Sequence, residues 1–173
     1  MQVFGLVGWS GSGKTTLVTR LLPELISLGF RVSTMKHSHH GFDVDTPGKD
    51  SYRHRDAGAT EVMVASARRW ALMHELRGNP EQEVEDLIAR MTPVDLLLIE
   101  GFKRHAHPKM EVHRPSLGKS LMAPNDPCIV AIASDAPLAG STVPVLNLDD
   151  AAAIAHFIVG HCGMGGGGAR GAA

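Results

Sequence analysis

Apolar residues fall in short dense runs, and the spacing within the runs alternates between strand and helix periods. Gln2 to Val7 is a short apolar strand that runs into a glycine-rich loop. From Thr15 to Leu28, Leu17, Val18, Leu21, Leu22, Leu25 and Leu28 recur at helical spacing and predict an amphipathic helix. Pro23 lies inside it, removes one backbone donor and predicts a kink, and Gly29 is the expected stop. Phe30 to Met35 reads as a second strand. Glu61 to Ala65 and Trp70 to His74 read as a hairpin across Ser66 to Arg69. Asn79-Pro80 offers an N-cap and a first-turn proline to a helix whose apolar face is Val84, Leu87, Ile88 and Met91. Val94 to Ile99 and Cys128 to Ala133 are almost wholly apolar, the pattern of strands buried on both faces. Asp149 or Asp150 can cap a last helix that buries Ile154, Phe157 and Ile158. Short buried strands alternating with helices imply a mostly parallel α/β sheet, helices on both faces, with an antiparallel hairpin inserted.

Composition narrows the class. With 173 residues, 43% hydrophobic and 20% charged, the chain can bury a real core and suits one domain over 1–159. Residues 160–173 hold seven glycines in fourteen positions, and a tail of that composition is expected to stay mobile. A formal charge of -1 leaves no basic surplus for nucleic acid. Two cysteines are too few for a disulfide framework or a four-thiolate zinc site. No run approaches the roughly 20 apolar residues of a membrane span. The expected address is the cytoplasm.

The strongest chemical signal is Gly8-Trp9-Ser10-Gly11-Ser12-Gly13-Lys14-Thr15, which fits G-x-x-x-x-G-K-[ST] between a predicted strand and a predicted helix. Glycines let successive backbone N–H groups face a phosphate chain, and the helix N-terminus behind them adds positive potential. Lys14 supplies a point charge for the β and γ phosphates, and Thr15 a hydroxyl for Mg²⁺. The loop therefore predicts a three-layer P-loop NTPase fold that binds a nucleoside triphosphate. Glu100 follows the apolar run Leu96 to Ile99 at the strand's C-terminal end, where ligands bind in such sheets. It is assigned to the Mg²⁺ shell or to orienting a water. Asp95 stands at the wrong end of that strand.

Lys36 to Asp56 carries four histidines and eight charged residues with little to bury. Three readings stand side by side. His37, His39 and His40 with Asp43 or Asp45 have donor types that suit a transition metal. Alternatively the segment is a switch-like loop in which Asp43 or Asp45 approaches the Mg²⁺ water shell while Lys36, Lys49, Arg53 or Arg55 meets phosphate. The third reading is a merely solvated loop. Asp45-Thr46-Pro47-Gly48 spells D-x-x-G, but ten residues past the strand it is a coincidence.

The N-K-x-D guanine signature is absent. Asp135, just past the apolar run Ile129 to Ala133, could accept from N1–H and N2–H₂ of guanine, a donor pair that adenine lacks. It is equally placed to be a turn residue before Pro137.

Taken together, the loop, Lys36-His37-Ser38-His39-His40, Phe42-Asp43-Val44-Asp45, Pro47-Gly48-Lys49-Asp50-Ser51, Arg53-His54-Arg55 with Ala57-Gly58-Ala59, and Glu100-Gly101-Phe102-Lys103 resemble the molybdopterin-guanine dinucleotide biosynthesis adaptor protein B family. The resemblance covers residues 2 to about 159, and the glycine tail and Pro23 depart from it. It implies a GTP-binding homodimer with weak, Mg²⁺-dependent GTPase activity. Its partner would be the guanylyltransferase that joins GMP to molybdopterin, with molybdopterin itself a further candidate. Carried over residue by residue, it places phosphate contacts at Gly11 to Thr16, Mg²⁺ at Thr15, and functional roles at Glu100 and Lys103, while Lys36, His37, Asp43 and Asp45 stand as candidates from the residues alone. The competing function is a small-molecule kinase in which Glu100 takes a proton from a substrate hydroxyl. A third is a metal chaperone built on the histidine cluster.

Overall fold

Strands β1 (Gln2–Val7), β2 (Val32–Lys36), β5 (Leu96–Glu100), β6 (Lys109–His113), β7 (Ile129–Ser134) and β8 (Val145–Asn147) form one six-stranded sheet in the order β2-β5-β1-β6-β7-β8. Every pairing in it is parallel. Between β2 and β5 the chain makes α2 (Asp50–Asp56), the hairpin of β3 (Glu61–Ala65) and β4 (Trp70–His74), and α3 (Val84–Ala89). The computed structural model describes residues 1–38, 41–103 and 105–165. Two compact units result: Met1–His37 with the chain from Thr92 onward, and Ser38–Met91.

In the first unit, α1 (Lys14–Ser27) and α4 (Ala151–His161) pack on the same face of the sheet. The i, i+4 series Leu17, Leu21, Leu25 turns its stripe onto Phe4, Leu6, Leu96, Leu98, Met110 and Val112, with Ile154 and Ile158 of α4 beside it. All of these are essentially excluded from water. Helix α1 runs through Pro23, and Gly29 ends it in the left-handed region. Asp150, one of the two candidate caps, accepts from the Ala153 N–H at 2.9 Å and starts α4. Phe157 is only half-buried at the margin of that core. Helix α4 reaches His161, two residues into the expected tail, and residues 166–173 of that tail lie outside the described ones.

The opposite face of β6 is polar. Lys109, Glu111 and His113 alternate along it, and all three are buried. The segments before and after β6 provide partners for Lys109 and Glu111. The Lys109 ammonium donates to the Lys103 and His105 carbonyls and to Asp126 Oδ2, while Glu111 accepts from the Met122 and Ala123 N–H groups. Burial of these charges is tolerated because each has partners.

In the second unit the hairpin has the predicted bounds, with Met63 opposite Leu72 and Ala65 opposite Trp70. Helix α3 starts at Val84, after Glu83, and not at Asn79-Pro80. Arg77 and Gly78 are in the left-handed region, and the Asn79 N–H closes a turn on the Leu76 carbonyl, so the chain enters α3 extended. Both cysteines are free thiols. Among the described residues no helix is long and apolar enough to cross a membrane.

Candidate functional site

All the parallel strands of the sheet end on one edge, and the chain reverses its direction of travel across the sheet between β5 and β6, on either side of β1. That reversal opens a crevice at the carboxyl end of β1, where the Gly8–Thr15 loop lies. Gly8 has φ 151°, and a Cβ there would lie 2.4 Å from the Val112 carbonyl oxygen and 2.7 Å from Ser12 Oγ. Only glycine lets the loop leave β1 this close to β6. Ser12 is buried and its Oγ has no hydrogen-bond partner among the described residues. Gly13 is the N-cap residue of α1, so the first N–H groups of the helix open toward the loop.

The Lys14 ammonium crosses the loop and donates to the Gly8 and Trp9 carbonyls at 3.1 and 3.0 Å. Burial lowers its pKa below the ordinary lysine value, the Glu100 carboxylate works against that shift, and Lys103 and Lys36 add to it. Thr15 donates its hydroxyl to Glu100 at 2.9 Å (Oε1) and 3.2 Å (Oε2). The register places Lys36 directly opposite Glu100, with Lys36 Nζ 3.5 Å from Oε1 and 3.4 Å from the Thr15 hydroxyl. A hydroxyl and a carboxylate side by side are hard oxygen donors of the kind Mg²⁺ takes. Thr15 and Glu100 would hold such an ion, and the cations around them suit a polyanion.

Glu100-Gly101-Phe102-Lys103 also takes its meaning from geometry. Gly101 has φ 100°, and a Cβ there would lie 3.0 Å from His37 Cβ. The His37 ring lies 4.5 Å from that of Phe102, and the His37 backbone N–H donates to the Glu100 carbonyl. His37 thus packs beneath the turn after β5. Lys103 Nζ stands 5.0 Å over the Trp9 ring and Lys119 Nζ 5.8 Å from it, while the indole N–H donates to the Ser120 carbonyl. Ser10 and Thr16 are exposed on the loop and the first turn of α1.

Asp43 and Asp45 lie in the second unit and form a network of their own. Arg55 donates to Asp43 at 2.7 Å and to Glu75 at 3.2 Å, and its guanidinium holds the Asp43 carboxyl below its usual pKa. Asp45 accepts from the Ser51 hydroxyl and the Thr46 N–H. His39 and His40 lie outside the described residues.

Arg114 is the residue that sequence reasoning missed. It follows β6, reaches the Ser12 carbonyl through Nε at 3.2 Å, and pairs with Asp135 Oδ2 at 2.5 Å. No motif marks it. Its only signal is a basic residue at the end of a strand that had first to be found.

A parallel sheet with a G-x-x-x-x-G-K-T loop at the end of its central strand defines the class as a P-loop NTPase-type α/β protein. The family model for molybdopterin guanine dinucleotide synthesis protein B matches residues 3–135, and the chain belongs to that family. It is 41% identical over 164 residues to the molybdopterin-guanine dinucleotide biosynthesis adapter protein of Escherichia coli strain K12, covering 92% of both chains. The protein of the same description from Haemophilus influenzae is 43% identical over 141 residues, covering 80% of this chain and 77% of its own. Among solved structures, molybdopterin-guanine biosynthesis protein B superimposes with a TM-score of 0.71 at 25% identity, over 92% of this chain and 99% of that one. The MobB homologue from Bacillus stearothermophilus gives 0.66 at 26% identity, over 95% and 99%.

Proposed function

We propose that this chain is a cytoplasmic GTP-binding adaptor in molybdopterin guanine dinucleotide biosynthesis, with slow Mg²⁺-dependent GTPase activity. It assists the guanylyltransferase that attaches GMP to molybdopterin. The observation that carries the nucleotide site is the Thr15 hydroxyl resting on the Glu100 carboxylate, which joins the loop to the end of β5. Backbone N–H groups from Gly11 to Thr16 and the Lys14 ammonium hold the phosphates. Slow turnover is expected because no motif places a catalytic glutamine or an arginine finger: the sequence has two glutamines, and Gln2 starts β1 at the far end of the sheet. Asp43 and Asp45, already bonded within their own unit, take no ligand in this reading. A homodimer is part of it, supported by Met63, Trp70 and Leu72, large apolar side chains exposed on one face of the hairpin.

Calorimetric titration of GTP and ATP, each with Mg²⁺, tests the reading. GTP is expected to bind at least about tenfold more tightly, since adenine offers no donor pair to an acid that reads guanine N1–H and N2–H₂. Preference for ATP would move the chain to the small-molecule kinases. Glu100→Gln keeps an oxygen for the Thr15 hydroxyl and loses the charge. It should raise the Mg²⁺ concentration needed for half-maximal binding by about tenfold with little change in melting temperature. A lower melting temperature with unaltered Mg²⁺ dependence would make Glu100 structural.

A further inference from the structure

Arg114 and Asp135 leave the sheet side by side for a reason of register. Strands β6 and β7 are parallel neighbours with His113 opposite Ser134, so the next residue of each emerges at the same level. On its other side β6 pairs with β1, where Val7 stands opposite Glu111, and β6 therefore runs on past the start of the glycine-rich loop. Arg114 is flanked by the loop on one side and by Asp135 on the other.

Its guanidinium uses both sides. Nε donates to the Ser12 carbonyl at 3.2 Å, and one terminal nitrogen donates to Asp135 Oδ2 at 2.5 Å. The other terminal nitrogen lies 3.6 Å from the position a Cβ would take on Gly13, the N-cap residue of α1. Two effects follow. Holding the Ser12 carbonyl turns that peptide's oxygen toward β6, away from the anion that the neighbouring N–H groups are to meet. Holding Oδ2 fixes the plane of the Asp135 carboxylate and leaves Oδ1 and the remaining lone pairs to accept from a ligand.

We infer that Arg114 is a positioning residue that ties the base-reading acid to the phosphate loop and so sets the preference for guanine over adenine. The inference rests on the reading of Asp135 as the acceptor for guanine N1–H and N2–H₂. Arginine suits the task where lysine does not. A planar fork donates to two fixed acceptors at once, whereas a single ammonium on a flexible stem keeps the charge and loses the bridge.

The test is calorimetry with Mg²⁺ and three ligands, GTP, ATP and inorganic tripolyphosphate, on the wild type, Arg114→Lys, Asp135→Asn and the double variant. Arg114→Lys should bind tripolyphosphate within about threefold of wild type, because the cation remains. Its ratio of GTP to ATP affinity should fall by about tenfold, because the acid is no longer held in plane. Asp135→Asn should lose the same ratio, and the double variant should lose no more than either single one, as expected for two residues acting as one unit. A ratio in Arg114→Lys equal to that of the wild type overturns the coupling. So do equal losses for all three ligands, which would leave Arg114 a support of the loop alone, and additive losses in the double variant. A wild type without preference for GTP removes the guanine reading itself and the coupling with it. The ratio separates these roles from a loss of fold, which would lower both affinities together.

Discussion

Replacing Lys14 with alanine should cost the chain at least about a hundredfold in affinity for Mg²⁺-GTP, the worth of one charge-assisted contact in a partly desolvated site. The ammonium already stands across the mouth of the loop on the Gly8 and Trp9 carbonyls, so a phosphate chain meets it without rearrangement of the helix behind it. Removing it takes away the central cation and leaves Lys36 and Lys103 at the rim. The fold should hardly notice, since the two lost bonds lie at the surface of the loop and each contributes about 1 kcal/mol or less. Binding at the wild-type level in Lys14→Ala would end the assignment of this loop to phosphate. The pH dependence carries a second signature. Burial lowers the Lys14 pKa, and a polyphosphate beside it favours the charged form, so binding takes up a proton wherever the free lysine has begun to titrate. Affinity should therefore be full below the lowered pKa and decline as pH rises through it, and the decline should vanish in Lys14→Ala.

How much of this was legible in the sequence depends on where the chemistry sits. Strands buried on both faces by apolar residues, such as β1, β5 and β7, announce themselves, and the hairpin was bounded correctly by Ser66–Arg69. Strand β6 did not. Lys109-Met110-Glu111-Val112-His113 reads as surface because a buried lysine and a buried glutamate are rare, and they survive here through partners in the segments on either side of the strand that no periodicity reveals. Helix α2 was missed for the opposite reason: it buries none of its residues, so it has no apolar face to detect. The three residues of β8 are too short a run to stand out.

The same logic divides the candidate site. Gly8 to Thr15 and Glu100 were readable because loop and acid are tied to apolar strands, and the structure brings Thr15 and Glu100 into contact. Asp135 was placed at the right sheet edge without its partner, since Arg114 belongs to the strand that was missed. Lys103 was singled out by resemblance, and its place over Trp9 depends on a three-dimensional fact: the turn after β5 and the loop after β1 lie against each other. Asp43 and Asp45 show the limit of donor counting. Their residue types suit a metal, and the partners they have among the described residues, an arginine twelve residues on and a serine six residues on, were not legible from those types.

Lys109→Met should lower stability by about 3 kcal/mol, a drop of roughly 10 °C in melting temperature for a chain of this size. Methionine fills nearly the same volume, so cavity formation contributes little. The loss comes from the ammonium, which is 1% exposed and spends its three protons on the Lys103 carbonyl at 3.0 Å, the His105 carbonyl at 2.7 Å and Asp126 Oδ2 at 3.1 Å. Without it two carbonyls under the loop have no donor, while Asp126, a quarter exposed, recovers part of its hydration. That recovery keeps the expected cost at the lower end of what breaking a buried ion pair entails. Because the bonded carbonyls belong to the turn that follows Glu100, the variant should also loosen Lys103 over Trp9 and weaken GTP binding a few-fold, far less than Lys14→Ala. Thermal melting and GTP titration of the same sample separate the two effects. A melting temperature within about 2 °C of wild type would mean that water replaces the ammonium without cost, and that the polar face of β6 does not hold the loop in place.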